Sequence, residues 1–235
     1  MAKSLGRVVV LATSLFAFSC GIVSSAGAST PSATSLLEST VRNAIASGAV
    51  HELTVTKLDG ETLTMINDIG SNGGRQLITL STGASTEVIA FDSMKKAYTK
   101  GNELGLKSYF GFPASDAAKY AGKWMESVPS DQAWSNITDS TTLESDFGTN
   151  LRIHDPVLST KLVTIDGARA YVITGTEAAS TNSPAASVTL YVSDSRTALP
   201  LRLNEVAKGA TAMVNWSKWG ESLTLKAPTN SVPLP

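Results

Sequence analysis

Few side chains in this sequence have the types and spacing that catalysis requires. Ser93-Met94-Lys95-Lys96 matches the S-x-x-K motif, in which a lysine activates a serine at the start of a helix. The companion S-D-N and K-T-G motifs do not occur, and Asp92-Ser93 between two predicted strands is typical of a turn. His51 and His154 have neither metal-ligand spacing nor a neighbouring cysteine. We therefore predict no enzyme, no catalytic residue, no metal and no cofactor, and a hydrolase acting through Ser93 stays as an alternative for activity-based labelling.

Cys20 is the one cysteine among 235 residues, so no disulfide can form within the chain. It follows Phe16-Ala17-Phe18-Ser19, which resembles a bacterial lipobox, although Ala17 stands where leucine is usual. In a lipobox the cysteine is acylated and becomes the first residue of the mature protein. Lipidation also explains a single cysteine in an exported chain, so Cys20 is the predicted lipidation site.

The first 28 residues have the features of a secretory signal segment. Lys3 and Arg7 precede an apolar stretch over residues 8–18, which is too short for a membrane-spanning helix. Cleavage is predicted either before Cys20 or after Ala28, where Ala26-Gly27-Ala28 forms an A-x-A site. Residues 21–34, rich in Ser, Ala, Gly and Thr, are typical of a flexible tether. We expect an exported protein held by a lipid anchor at the outer face of the cytoplasmic membrane; cleavage after Ala28 would instead give a secreted soluble protein.

Residues 35–235 are long enough for one domain with a sizeable core. The formal net charge of the chain is −1, which gives no reason to expect a nucleic-acid partner. Ser35-Leu36-Leu37-Glu38 fits a helix-capping box, and apolar residues follow at helical spacing up to Gly48. The domain is therefore predicted to open with one amphipathic helix.

After Gly48 the apolar pattern changes to a period of two, which predicts strands. Asp59-Gly60 and Asp166-Gly167 are typical hairpin turns. The middle of the chain breaks this rhythm, and short helices are expected near residues 104–110, 115–121 and 142–147. The last predicted strand is Ser222–Leu225, and His154-Asp155-Pro156 is interpreted as a turn. The predicted fold class is α+β: a large curved antiparallel sheet, a half-barrel of about ten strands, closed by the leading helix and the short middle helices.

Such a sheet must bury one apolar face, and the few predicted helices are expected to leave an apolar hollow beneath them. The alternative is that the same residues pack as a solid core, and periodicity alone favours that alternative. The candidate lining residues follow from strand parity and position, and a one-residue slip would invert their face. They are Leu53, Val55, Met65, Phe91, Leu104, Tyr109, Phe110 and Tyr120.

Two segments resemble actinobacterial envelope lipoproteins of the LppX/LprG type. Tyr98-Thr99-Lys100-Gly101 is similar to a strand end with the pattern Y-x-K-G, and Lys123–Pro129 is similar to a K-W-x-x-V-P stretch but has one residue more between Trp124 and Val128. The C-terminal run through Leu199-Pro200-Leu201-Arg202 and Trp216–Gly220 agrees with that pattern. The resemblance implies a fold similar to the LolA and LolB carriers, with a lipid-accepting cavity, and a protein that binds or moves acylated lipids or lipoglycans.

The favoured hypothesis is therefore a non-catalytic lipid carrier of the cell envelope. We expect an acylated lipid or lipoglycan as ligand, an envelope transport partner, and a monomeric chain. The alternative hypothesis is an envelope protein-interaction scaffold with a filled core. A purified domain without lipid and without a void would favour the scaffold.

Overall fold

The structure is a computed structural model that describes residues 31–149, 151–178 and 185–235. The signal segment, Cys20, both cleavage sites and most of the tether lie outside the described residues. The elements follow one another in the order helix, five strands, two helices, strand, helix, π-helical segment and seven strands. The helices are α1 (Ala33–Ala46), α2 (Glu103–Ser108), α3 (Ala114–Tyr120) and α4 (Trp134–Thr138), and the π-helical segment is Glu144–Thr149. The strands are β1 (Ala49–Leu58), β2 (Glu61–Gly70), β3 (Gly73–Leu80), β4 (Ser85–Phe91), β5 (Lys96–Gly101), β6 (Trp124–Ser127), β7 (His154–Leu158), β8 (Val163–Ile165), β9 (Ala168–Glu177), β10 (Ala186–Ser193), β11 (Pro200–Ala207), β12 (Ala210–Ser217) and β13 (Ser231–Pro233).

The described strands form one open, curved sheet of thirteen strands. Their order is β13-β6-β5-β4-β3-β2-β1-β12-β11-β10-β9-β7, and β8 also pairs with β9. All pairs are antiparallel except β13 with β6. The expected α+β class and curved antiparallel sheet are confirmed, and the expected count of about ten strands is too low.

Two differences in the strands have local causes. Ser222–Leu225 is not a strand, because the chain there runs between β12 and β13 without pairing in the sheet. The segment expected as a turn at His154-Asp155-Pro156 lies in β7, where the register shifts between His154 and Val157 and Asp155 has a φ of 49°. A β-bulge of this kind accommodates Asp155 and Pro156, which favour turns, within an edge strand.

Helix α1 begins two residues before the expected start at Ser35. The Ser32 side chain is the N-cap and accepts a hydrogen bond of 3.1 Å from the Ser35 backbone N–H. Gly48, with a φ of 88°, takes the left-handed conformation that turns the chain from the helix into β1. Leu36, Thr40 and Ala44 form the buried stripe.

All four helices and the π-helical segment lie on one side of the sheet, which we call the inner face. Under α1, this face contributes an apolar core that includes Val50, Ile69, Ile173 and Leu190. Under α2, α3 and α4 it contributes smaller clusters around Met65, Val88 and Met125. The opposite side of the sheet is the outer face. The expected middle helices near 104–110 and 115–121 are thus confirmed, and residues 142–147 enter a π-helical segment instead of an α-helix.

Candidate functional site

An open apolar groove of about 560 Å³ lies along α1. Its helical wall is formed by Leu37, Val41 and Ile45, which are spaced four residues apart and so lie above one another on the helix. These residues flank the buried stripe of α1 and are only partly buried. The helix therefore has more apolar surface than the sheet beneath it covers.

The facing wall follows the π-helical segment in the chain. Leu151 and Ile153 each keep 8% of their surface exposed and lead into β7 at His154. Gly175 on β9 lets this wall approach the sheet closely, because a Cβ there would collide with Ile153 Cγ2 and stand 2.6 Å from the His154 carbonyl oxygen. The groove therefore lies between α1 and residues 151–154, which lead from the π-helical segment into β7.

The rim of the groove carries charge on both walls. Glu38 and Arg42 are exposed on α1, and Arg152 and His154 are exposed on the facing wall. An apolar floor with polar groups at its edge can hold a hydrocarbon chain while leaving a polar group in water.

Three of the eight predicted lining residues lie on the outer face. Leu53 and Val55 are half-buried there, because the inner-facing positions of β1 are occupied by Val50, Glu52 and Thr54. Phe91 also faces outward and meets Tyr98 edge-on, with ring centroids 6.1 Å apart. The odd-numbered residues Leu53 and Val55 of β1 thus face outward, which is opposite to the orientation assumed from the sequence.

The other predicted lining residues cluster around the middle helices. Met65 is 2% exposed and packs with Tyr109, while Phe110 and Tyr120 pack in the two neighbouring clusters. Leu104, on α2, is 48% exposed. None of the eight predicted residues lies in the groove along α1, and contact of any of them with a ligand stays a prediction.

A buried polar network lies on the inner face between the two halves of the core. The Glu52 carboxylate has no exposed surface and accepts hydrogen bonds from Asn67 Nδ2 at 2.7 Å, Thr54 Oγ1 at 3.0 Å and Trp216 Nε1 at 2.9 Å. Asn67 and Trp216 are the cross-strand partners of Glu52 on β2 and β12. The network links β1, β2 and β12 at the centre of the sheet. The apolar groove lies to one side of this network.

The motif Ser93-x-x-Lys96 does not form a nucleophile site in the structure. Ser93 lies in a turn, as expected, closed by a hydrogen bond from the Lys95 N–H to the Asp92 carbonyl at 3.1 Å. Lys96 Nζ is 2.7 Å from Glu126 Oε1 instead. The hydrogen bond from Lys96 is the main reason that the pKa of Glu126 lies below its ordinary value.

Neither a cluster of metal ligands nor a membrane-spanning helix is found among the described residues. Within residues 31–149, 151–178 and 185–235, no group of three or more His, Cys, Asp and Glu side chains is placed to hold a metal ion. Among the helices described, none is long and apolar enough to cross a bilayer.

The groove residues were missed, although the sequence contained a signal for them. The apolar positions of α1 comprise both the buried stripe and the series Leu37, Val41 and Ile45, which is a wider stripe than one sheet contact requires. The facing wall could not be located in the same way, because it joins residues separated by more than a hundred positions.

Comparison with known proteins supports the fold. No protein-family model matches the sequence, and no curated protein matches it. LprF from Mycobacterium bovis has a similar structure, with a TM-score of 0.53 and 14% identity over 83% of this chain and 96% of that chain. The Mycobacterium tuberculosis lipoprotein LppX gives a TM-score of 0.49 and 17% identity over 82% of this chain and 99% of that chain.

A LolA superfamily protein from Nitrosomonas europaea gives a TM-score of 0.31 and 12% identity over 83% of this chain and 96% of that chain. Only the similarity to LprF is high enough to carry an argument, and at 14% identity it concerns the fold alone. The fold expected from the resemblance in the sequence is confirmed.

Proposed function

We propose that this chain is an exported, non-catalytic protein of the cell envelope that holds the acyl chain of a lipid or lipoglycan in the groove along α1. The observation that carries the proposal is an apolar groove of about 560 Å³ with charged residues only at its rim. Its size falls within the range of small-molecule sites, about 300–1,000 Å³. The fold shared with LprF is compatible with this proposal and does not identify a ligand.

The groove is long enough for burial of an acyl chain to contribute to the free energy of binding. The helical wall from Leu37 to Ile45 spans ~12 Å at 1.5 Å per residue. Burial of about eight methylene groups along it would contribute ~6 kcal/mol, from which the entropic cost of association is subtracted. Binding in this groove needs no chemical step, because it is driven by removal of apolar surface from water.

An anchor at Cys20 would keep such a domain at the outer face of the membrane that supplies the lipid. Acylation by more than one chain makes anchoring stable, because each buried methylene contributes ~0.8 kcal/mol. The proposal therefore includes lipidation of Cys20, a monomeric chain, and an envelope transport partner that delivers or receives the lipid.

A second function is favoured by the packing under the middle helices. Met65, Ile78, Leu106 and Met125 are each no more than 2% exposed, so the inner face there is filled by side chains. A protein whose whole core is filled in this manner would act as an interaction scaffold. The two functions differ in whether the groove along α1 takes up an acyl chain.

A substitution in the groove tests the proposal. Val41→Glu places a carboxylate in the apolar wall and is expected to weaken binding of a fluorescent long-chain fatty acid at least tenfold. Thr34→Glu is the matched control, because Thr34 is exposed on the first turn of the same helix and does not line the groove. Equal affinity of both variants and the unchanged chain would refute the groove as the acyl site, and no uptake by any of them would favour the scaffold.

A further inference from the structure

Four elements of the fold meet at one corner of the sheet. The end of β5, the start of α2, the end of α3 and the start of β6 are brought together there. The Gly122 N–H donates to the Gly101 carbonyl at 2.8 Å, which fixes the turn after α3 against the end of β5. Asn102, the N-cap of α2, donates through its backbone N–H to the Ser85 carbonyl at 3.0 Å.

Lysines and aromatic rings alternate at this corner. Lys100 Nζ lies 5.7 Å from the centre of the Trp124 ring. Lys119 Nζ and Lys123 Nζ lie 4.7 Å and 6.0 Å from the centre of the Tyr120 ring. Trp124 and Tyr120 are both half-buried, and Tyr120 packs against the apolar cluster that contains Met125. We call Lys100, Lys119, Tyr120, Lys123 and Trp124 the lysine–aromatic corner.

The three lysines of the corner outnumber the carboxylates near them, which are Asp116 beside Lys119 and Glu87, the cross-strand partner of Lys100 that pairs with Arg75. Across the described residues, none of its three lysines forms an ion pair with an acidic side chain. Lys107, one turn along α2, is 3.8 Å from Glu103 and so contributes little net charge. Leu104, on the first turn of α2, is an apolar residue that is 48% exposed.

We propose that the lysine–aromatic corner docks the protein onto a bilayer surface that contains anionic lipids. The three cations are complementary to the anionic head groups, while Trp124 and Tyr120 have the amphipathic rings that favour the interface between head groups and hydrocarbon. The exposed side chain of Leu104 adds apolar area that a bilayer would cover. An acidic protein partner would use the cations and leave both rings and Leu104 without a role.

The corner is separate from the groove along α1. It lies at the β13-β6-β5 end of the strand order, whereas the groove wall leads into β7 at the other end. Docking at the corner therefore acts in addition to any lipid anchor and does not depend on the groove.

Vesicle sedimentation tests this proposal on the chain from Ser29 to Pro235, which includes all described elements. The vesicles are phosphatidylcholine with 30% phosphatidylglycerol, and pure phosphatidylcholine serves as the neutral surface. Each lysine near an anionic surface contributes about a fivefold change in partitioning, so the triple variant K100Q/K119Q/K123Q is expected to lose on the order of 100-fold. The K100R/K119R/K123R variant keeps the charge and is expected to bind like the unchanged chain.

The matched control is K57Q/K161Q/K208Q, which removes the same charge from exposed positions elsewhere. This control is expected to bind the anionic vesicles almost as the unchanged chain does. Equal losses in the two triple glutamine variants, or equal binding to neutral and anionic vesicles, would overturn the proposal. Binding of poly-glutamate through the corner without binding to vesicles would also overturn it and assign the corner to an acidic protein. Urea unfolding midpoints of all variants exclude misfolding as the cause.

Discussion

Trp216 Nε1 donates a hydrogen bond of 2.9 Å to Oε2 of Glu52, a carboxylate with no exposed surface. The two residues face one another across β12 and β1. The Trp216 ring also contacts Phe147 of the π-helical segment, with ring centroids 5.5 Å apart. This pair connects the centre of the sheet with the segment that leads into the groove wall.

Replacement of Trp216 by Phe removes the indole donor and keeps an aromatic ring. The buried Glu52 carboxylate loses one of its hydrogen-bond donors, and we expect the free energy of unfolding to fall by about 1–3 kcal/mol. Urea denaturation followed by circular dichroism measures the change. Trp124→Phe is the control, because Trp124 lies at the surface near Lys100, and its loss should be under about 1 kcal/mol. Equal stability of Trp216→Phe and the unchanged chain would contradict the role of the network.

Gly175→Ala should push the groove wall away from the sheet. The added Cβ would meet Ile153 Cγ2 and the carbonyl oxygen of His154, and neither a strand backbone nor a branched side chain can yield without moving the wall. We expect destabilisation by about 1–3 kcal/mol and weaker acyl binding. Thr174→Ala, an exposed position on the same strand, is the control for both measurements. Unchanged acyl affinity in Gly175→Ala would show that this wall does not contact the ligand.

The pair of Lys96 and Glu126 predicts a pH dependence of stability. The Lys96 hydrogen bond holds the pKa of Glu126 below its ordinary value of 4.5, so the folded chain favours the ionised carboxylate. Its contribution is therefore present above pH 4.5 and is lost as the pH falls through the lower pKa of the folded state. Comparison of the unchanged chain with Glu126→Gln should show a small stability difference at neutral pH that disappears in strong acid. A difference that grows as the pH falls would contradict this sign.

The same pair acts in the opposite direction at high pH. The hydrogen bond with Glu126 raises the pKa of Lys96 above 10.5. While Glu126 is ionised, the contribution of Lys96 is thus complete up to pH 10.5 and is lost as the pH rises through its raised pKa. Above neutral pH, the Lys96→Gln variant should therefore approach the stability of the unchanged chain only in strongly alkaline solution, as measured by urea unfolding.

Local signals in the sequence predicted the local structure well. Asp59-Gly60 forms the two-residue hairpin between β1 and β2, with φ values of 50° and 83° that suit these residue types. The helix α1 and the short helices α2 and α3 were also predicted, because capping residues and apolar spacing act within a few positions. Such features need no knowledge of distant parts of the chain.

The face of β1 could not be predicted by the same reasoning. Leu53 and Val55 make the outer positions the more apolar ones, while the inner positions include the polar Glu52 and Thr54. The inner face tolerates Glu52 because Asn67 and Trp216, from two other strands, donate to it. The assumption that the more apolar face of a strand points towards the core therefore fails where the core contains a polar network.

The short strands β6 and β13 were not predicted, because they pair although they lie far apart in the sequence. β13 and β6 have three or four residues each and pair with one another over a separation of about a hundred positions. Neither has the alternation of a longer strand, and Pro233 argues against a strand when it is read alone. The position of β13 at the edge of the sheet explains why Pro233 is tolerated, because an edge strand needs hydrogen bonds on one side only, whereas β6 lies between β13 and β5.

The central claim is that this chain carries an acylated lipid, and native mass spectrometry with lipid extraction tests it most directly. The chain from Ser29 to Pro235 would be purified from an envelope-bearing actinobacterial host, together with its Val41→Glu variant. We predict one acylated lipid per chain, and its loss in the variant. Reproducibly empty protein that also takes up no added lipid would contradict the claim and favour the interaction scaffold.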